Sequence, residues 1–391
     1  MRIYMKKLLT KTTIKHILST GLLLLLLITF ASDMHMPTVM ANADEVREKR
    51  ACWISYLDIE EFLRNKDEAA FYERVSGMYD KILENGMNTV IVQVRAMGDA
   101  IYPSAYYPWS VYLTSDRSAP AYDPLQIMVT LAHDKGLQFE AWINPYRISQ
   151  NTATTDSFKA TPHYALFAPY LIEYRTRSGQ QCLALDPASQ EARMIITCGV
   201  LEIISRYEVD GIHFDDYFYV PGMNDALDLP SKKAYVNALI LQVYRTIKSV
   251  NPACVFGISP AGNLDNARAQ GADVDTWLSV PGYIDYIMPQ IYWSDMYLTG
   301  SGARQLFTER CSAWLALNRL DIPVYTGLAL YMAGTPSDKD VGWTATNANL
   351  AYQYVLSKQL GCDGYALFRY AWLEKDTAAE ELINLRIYAQ P

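Results

Sequence analysis

From about residue 50 onward, short runs with apolar residues at every second place, or with no polar break, alternate with longer stretches where apolar residues recur every third or fourth place. The first pattern predicts strands and the second predicts amphipathic helices. Strand-like runs are Ala51–Tyr56, Thr89–Arg95, Leu137–Asn144, Val209–Asp215, Val255–Ser259, Tyr283–Tyr292, Val324–Leu328 and Gly364–Phe368. Helical periodicity fills Asp67–Glu84, Pro124–Lys135, Gln190–Tyr207, Ser231–Val250 and Ala303–Leu317. Asp123-Pro124 reads as an N-cap followed by Pro at the first helical position. Between the fifth and sixth runs, Asn266–Leu278 is only moderately helical. Eight strand–helix repeats predict an α/β protein, a (β/α)₈ TIM barrel forming a single domain over residues 44–391. Such a barrel needs about 250 residues. The surplus falls in Met97–Tyr122, Pro145–Pro187 and Tyr331–Thr344, all following strands, on the face where barrel enzymes build their active sites.

The N-terminal segment breaks this rhythm. Arg2, Lys6, Lys7, Lys11 and Lys15 precede an apolar run of 14 residues, Ile17 to Phe30, and Ala41-Asn42-Ala43 supplies a small-x-small cleavage pattern. The run is short for a membrane span of about 20 residues. Residues 1–43 therefore read as a secretory signal peptide, with an uncleaved N-terminal anchor as the alternative. No Cys closely follows the run, which argues against a lipid anchor. Cleavage would leave no stable membrane span and would yield a secreted or cell-envelope protein.

Composition narrows the partners. The net charge is −8, and loss of five Lys/Arg and one Asp with the signal would take it to −12. The later chain has no basic runs, which excludes a nucleic-acid binder. The 6 Cys are scattered singly, with no CxxC or other metal spacing, and nothing in their spacing identifies a disulfide pair. His133, His163 and His213 are far apart, so neither a metal nor another cofactor is expected, and a metal-dependent deacetylase is a weak third reading.

The strand ends carry the candidate chemistry. In VDGIHFDDYFY (residues 209–219), Ile212 and Phe214 share one face, which leaves Gly211, His213 and Asp215 on the other, pointing into the barrel. Asp215 then stands at the C-terminal rim and Asp216 opens the loop. By the same alternation Gln93 and Arg95 share a face, as do Glu140, Trp142 and Asn144. Asp99 follows the second strand, Gln290, Tyr292 and Trp293 end the sixth, Asp295 follows it, and Arg369 follows the eighth. Aromatics flank these ends, among them Tyr102, Tyr106, Tyr107, Trp109, Tyr146, Tyr217, Tyr219, Tyr370 and Trp372. Aromatic faces beside carboxylates and amides suit a sugar site, where ring C–H faces stack and polar groups fix hydroxyls.

RACWISY, NTVIVQVRAMGDAIYPSAYYPWS, YDPL, FEAWINPYR, VDGIHFDDYFY, DYIMPQIYW and GYALFRY together resemble, in order over residues 48–385, the family-ten glycosyl-hydrolase-like proteins, which include uncharacterised lipoproteins. The resemblance implies a (β/α)₈ barrel, export and glycoside hydrolysis, with one branch acting on peptidoglycan glycan strands that lack stem peptides. The fourth-strand motif is also similar to the DGxRxD of the α-amylase superfamily. There Asp210, Gly211 and Asp215 match and His213 occupies the Arg position. The strand-five Glu of that superfamily has no counterpart in VFGISPAGN, the final Glu of the chitinase-like DGxDxDxE falls on Tyr217, and Glu140 stands where the resemblance leads one to expect His.

Two carboxyls ordinarily cleave a glycosidic bond, about 5–5.5 Å apart for retention and about 6.5–9.5 Å for inversion. Asp215 is the candidate nucleophile or base. Asp216 is favoured as general acid, with Asp99, Glu140 and Asp295 as alternatives. Arg95 or Arg369 is expected to hold Asp215 ionised, while Trp142, Asn144, His213, Tyr217, Gln290, Tyr292 and Trp293 are expected to bind polysaccharide or cell-wall glycan. A catalytically silent glycan-binding barrel is the competing reading, and the missing strand-five Glu favours it.

Overall fold

The structure, a computed structural model, describes residues 48–389, so the segment read as a signal peptide lies outside it. Eight strands run in parallel: β1 Lys49–Ile54, β2 Thr89–Arg95, β3 Gln138–Ile143, β4 Gly211–Asp215, β5 Val255–Ser259, β6 Tyr286–Ile287, β7 Tyr325–Leu328 and β8 Gly364–Leu367. Ladders join them in the order β7-β8-β1-β2-β3-β4-β5-β6. The bridges Ile287–Val324 and Gln290–Gly327 bring β6 back to β7. This is the expected (β/α)₈ barrel.

The predicted helices form at Glu68–Glu84, Pro124–Asp134, Gln190–Arg206, Leu229–Val250 and Leu306–Leu317. The Asp123 side chain accepts from the Gln126 amide, capping the second of these as its sequence suggests. The weak stretch after β5 resolves into two short helices, Leu264–Ala269 and Val274–Trp277, separated by Gly271 at φ +85°. β6 is much shorter than its apolar run because Pro289 has no amide to donate. Its carbonyl still accepts from the Gly327 amide at 2.9 Å, so pairing continues beyond the strand. Two antiparallel hairpins had no clear sequence signal: Leu171–Arg175 with Gln181–Leu185, and Tyr297–Thr299 with Gly302–Arg304. The second occupies the start of a stretch expected to be helical, so that helix begins at Leu306.

The core has two parts. Between strands and helices lies an apolar shell that includes Val90, Val92, Ile212 and Phe214. Inside the barrel lies a smaller group: Ala51, Trp53, Ile91, Trp142, Tyr286, Met288, Tyr325 and Ala366. The ring of Tyr286 crosses the interior because Gly257 makes room. A Cβ there would stand 2.0 Å from the ring. Gly211 is similarly confined, with Val255 and Glu140 2.8 and 3.0 Å from where a Cβ would be.

Candidate active site

Ile212 and Phe214 face the apolar shell, as the alternation along β4 requires, and this turns His213 and Asp215 into the barrel. Asp215 stands at the C-terminal rim in a cavity of about 280 Å³. Trp53, Tyr56, Trp142, Tyr217, Tyr292, Tyr331 and Phe368 form the cavity's aromatic wall. Gln93, His213, Ser259 and Gln290 add polar groups. Asp215 is gripped by donors. Asn144 Nδ2 donates to Oδ2 at 3.1 Å, while Gln290 Nε2 and the Asp216 amide donate to Oδ1 at 3.0 and 2.7 Å. The amides are themselves held. Tyr56 N–H donates to Gln93 Oε1, and Gln93 Nε2 donates to Asn144 Oδ1, fixing which way Asn144 points.

Asp216 shares a peptide bond with Asp215 but not its surroundings. Burial first, and then the neighbouring Asp215 charge, push its carboxyl well above the usual carboxylate range, with Arg147 opposing weakly. Its Oδ1 has no hydrogen-bond partner. Two further donors lack partners, the indole N–H of Trp142 and the hydroxyl of Ser259. Both residues line the cavity, so a ligand oxygen could satisfy them.

Beneath Asp215, His213 is wholly buried, and burial pushes its pKa well below the usual imidazole value. Tyr286 donates to Glu140 Oε2 at 2.5 Å, so its oxygen is left to accept from His213 Nδ1 at 2.7 Å. That leaves Nε2 of a neutral ring to accept from Trp53 Nε1 at 3.4 Å. No imidazolium therefore sits under the carboxylates.

With this geometry in view, the chain can be placed among known proteins. A profile of the family described as Glycosyl hydrolase-like 10 matches residues 48–235 and 223–345. The chain belongs to this family. Its relatives include glycosyl hydrolase YngK of Bacillus subtilis, 36% identical over 298 residues, covering 65% of this chain and 56% of that one. Glycosyl hydrolase DigH of Escherichia coli K12 is 34% identical over 347 residues, covering 78% and 77%. The chain thus spans little more than half the length of the Bacillus relative. Among solved structures, α-L-fucosidase isoenzyme 2 from Paenibacillus thiaminolyticus superposes with a TM-score of 0.54 at 14% identity, covering 88% of this chain and 49% of that one. The GH36 α-galactosidase AgaA from Geobacillus stearothermophilus gives 0.50 at 12%, covering 88% and 42%. These two likenesses speak for the barrel alone.

Within this glycosyl hydrolase-like barrel several expected residues stand elsewhere. Arg95 does not share the face of Gln93. The register with β3 shifts between the two, and this bulge turns Arg95 outward, where it stacks 3.9 Å from the Tyr107 ring. Arg369 pairs with the wholly buried Asp58 at 2.5 Å rather than with Asp215. Glu140 opposes Gly211, the first residue of β4, and so lies at the barrel floor, ion-paired to Lys49. There it lines a larger cavity of about 640 Å³ at the end opposite Asp215. Asp99 is buried beside Arg117 at 3.6 Å, and burial raises its carboxyl despite that partner. Asp295 accepts from the Thr308 amide at the start of a helix, and Trp293 is covered by Arg310, 3.3 Å from its ring. Of the flanking aromatics, Tyr102, Tyr107, Tyr146, Tyr219 and Tyr370 are buried in the apolar core. Sequence reading did not single out Tyr56, Arg147, Gln150, Ser259 and Tyr331 as site residues, yet all five line the cavity. Only Tyr56 and Ser259 had a usable signal, as the ends of strand-like runs. Among the described residues no group of three or more His, Cys, Asp or Glu side chains could hold a metal ion.

Proposed function

We propose that this chain is an exported glycoside hydrolase that cleaves a polysaccharide, with peptidoglycan glycan strands as the first substrate to test. One observation carries the reading. Asp215 lines the aromatic cavity, gripped by three donors, and Asp216, the next residue, is held toward its protonated form between the lining residues Asp215 and Tyr217. Asp215 is the ionised partner, acting as nucleophile or base. Asp216 is the proton donor to the leaving oxygen, because a general acid must keep its proton near neutral pH. Asn144 and Gln290 aim Asp215, and the unpartnered Trp142 and Ser259 donors take sugar oxygens. The names of the relatives, both glycosyl hydrolases, support the reaction class.

A second reading, a glycan-binding barrel without turnover, has its own support. β5, the strand beside β4, ends in Ser259, opposite Asp215, and Pro260 follows, so no acid stands at that strand end. Product analysis separates the two. Purified protein is incubated with peptidoglycan glycan freed of stem peptides and with a panel of α- and β-glucans, and new reducing ends are identified by mass spectrometry. New ends that vanish in Asp215→Asn support the hydrolase. Binding with no new ends from any glycan leaves the silent barrel.

A further inference from the structure

The mouth cavity does not end at Tyr217. Through Arg147, Gln150 and Tyr217 it continues into an annex of about 310 Å³. One wall of the annex is the unforeseen hairpin, contributing Tyr174, Thr176 and Arg177, and the other is the loop after β4. Among the described residues, its charged lining is Arg147 and Arg177, with no carboxylate. Arg147 is held in place: its Nε donates to the Ala96 carbonyl at 2.9 Å, and its guanidinium lies 4.8 Å from the Tyr217 ring. Among the described residues it has no carboxylate partner. Its charge reaches the Asp216 and Asp99 carboxyls, yet neither is salt-bridged to it, which leaves the fork of the guanidinium open in a chain with 42 acids against 34 Lys and Arg. The planar fork suits a carboxylate.

Resting on the hydrolase reading of the mouth, we propose that the annex is a subsite for a sugar bearing a carboxylate, next to the sugar over Asp215. The carboxylate could belong to a uronic acid or to an acidic ether substituent on an amino sugar. Both present the same group to Arg147 and Arg177. Isothermal titration with uronate-containing oligosaccharides and with ether-acid glycan fragments, each beside its carboxyl-reduced counterpart, tests this and tells the two sources apart. Asp215→Asn protein, in which hydrolysis is suppressed, is the host. At least one acidic ligand should bind about tenfold or more tightly than its reduced form, as charge-assisted hydrogen bonds allow. The exposed Arg177→Gln should shrink that preference with little change for the neutral ligand, and Arg147→Gln should abolish the preference. Equal binding of acidic and reduced ligands overturns the subsite, even if wild-type protein cleaves both. Carboxylate-dependent binding in a protein that cleaves nothing keeps the subsite and removes the hydrolase reading instead.

A separate observation supports a second proposal. Cys311, on helix Leu306–Leu317, and Cys362, just before β8, are both buried, with their sulfurs 3.3 Å apart. We infer that this pair forms a disulfide when the protein is in an oxidising compartment. The two thiols give up two protons and two electrons to a disulfide oxidant, which is reduced to two thiols. The protein is equilibrated with oxidised glutathione, denatured, alkylated and digested. Four alkylated cysteines out of 6 and a crosslinked Cys311–Cys362 peptide are expected. Six alkylated cysteines, or a link between any other pair, overturns the inference. Cys311→Ser protein should lose that crosslink while remaining folded.

Discussion

Replacing Asp215 with Asn keeps the shape that Asn144, Gln290 and the Asp216 amide grip, but removes the charge and turns one acceptor into a donor. Stability should fall by only about 1 kcal/mol, the scale of one hydrogen bond. Turnover should fall at least about a hundredfold, the scale of one acid–base group. Near-normal turnover on a substrate that wild type cleaves would remove Asp215 from the mechanism. For Asp216→Asn the pH dependence is more telling. The folded protein raises this carboxyl above its ordinary value of 3.8, so its contribution to stability is complete below that pH and is lost as pH rises through the folded value. Asn does not titrate. The melting temperature of Asp216→Asn should therefore gain on wild type as pH rises, while its activity drops and its alkaline limb flattens. A parallel pair of melting curves across pH would sink the assignment. Asp215 was legible because alternation along an uninterrupted strand fixes its direction. Asp216 was legible only as a neighbour, and its environment comes from packing. The partners of Asp215 were misread because Arg95 lies just past a bulge, which no residue pattern marked.

At the scale of elements, the eight strands were legible because each is an apolar run bounded by turn residues. The hairpin Leu171–Arg175/Gln181–Leu185 was not, since Leu171–Arg175 is only partly buried while Cys182–Leu185 is buried at every position, so neither strand alternates clearly. The same alternation placed Glu140 on the inner face but gave no depth. The register of β3 against β4 supplies that, setting Glu140 at the floor opposite Gly211. Glu140→Gln consequently tests depth. It leaves Lys49 buried without its charge partner, which should destabilise the fold by about 3 kcal/mol in chemical denaturation. Turnover at a temperature where the variant is folded should stay within about threefold of wild type, because the proton transfer proposed for Asp215 and Asp216 lies at the other end of the barrel. A hundredfold loss of turnover with unchanged stability would return Glu140 to the catalytic candidates.

For the molecule as a whole, the polarity of the barrel bears on where it works. β1 begins at Lys49, and its N-terminal end lies at the floor, the end opposite Asp215. The apolar run ends at Phe30, 19 positions before Lys49. That stretch spans at most about 65 Å even when fully extended. An uncleaved apolar run would therefore attach a membrane to the floor end of the barrel through a long tether. Cleavage would free the whole barrel, with the floor cavity open to solvent. Either state leaves the mouth accessible to an extended glycan, so activity cannot discriminate between them, but the N-terminus can. The 14-residue apolar run is short for a span, and the small residues at Ala41 and Ala43 suit a signal peptidase. The protein recovered from the cell envelope or the medium should therefore begin near Asp44 by N-terminal sequencing. Recovery with Met1 intact, in a fraction that only detergent releases, would establish the anchor in its place.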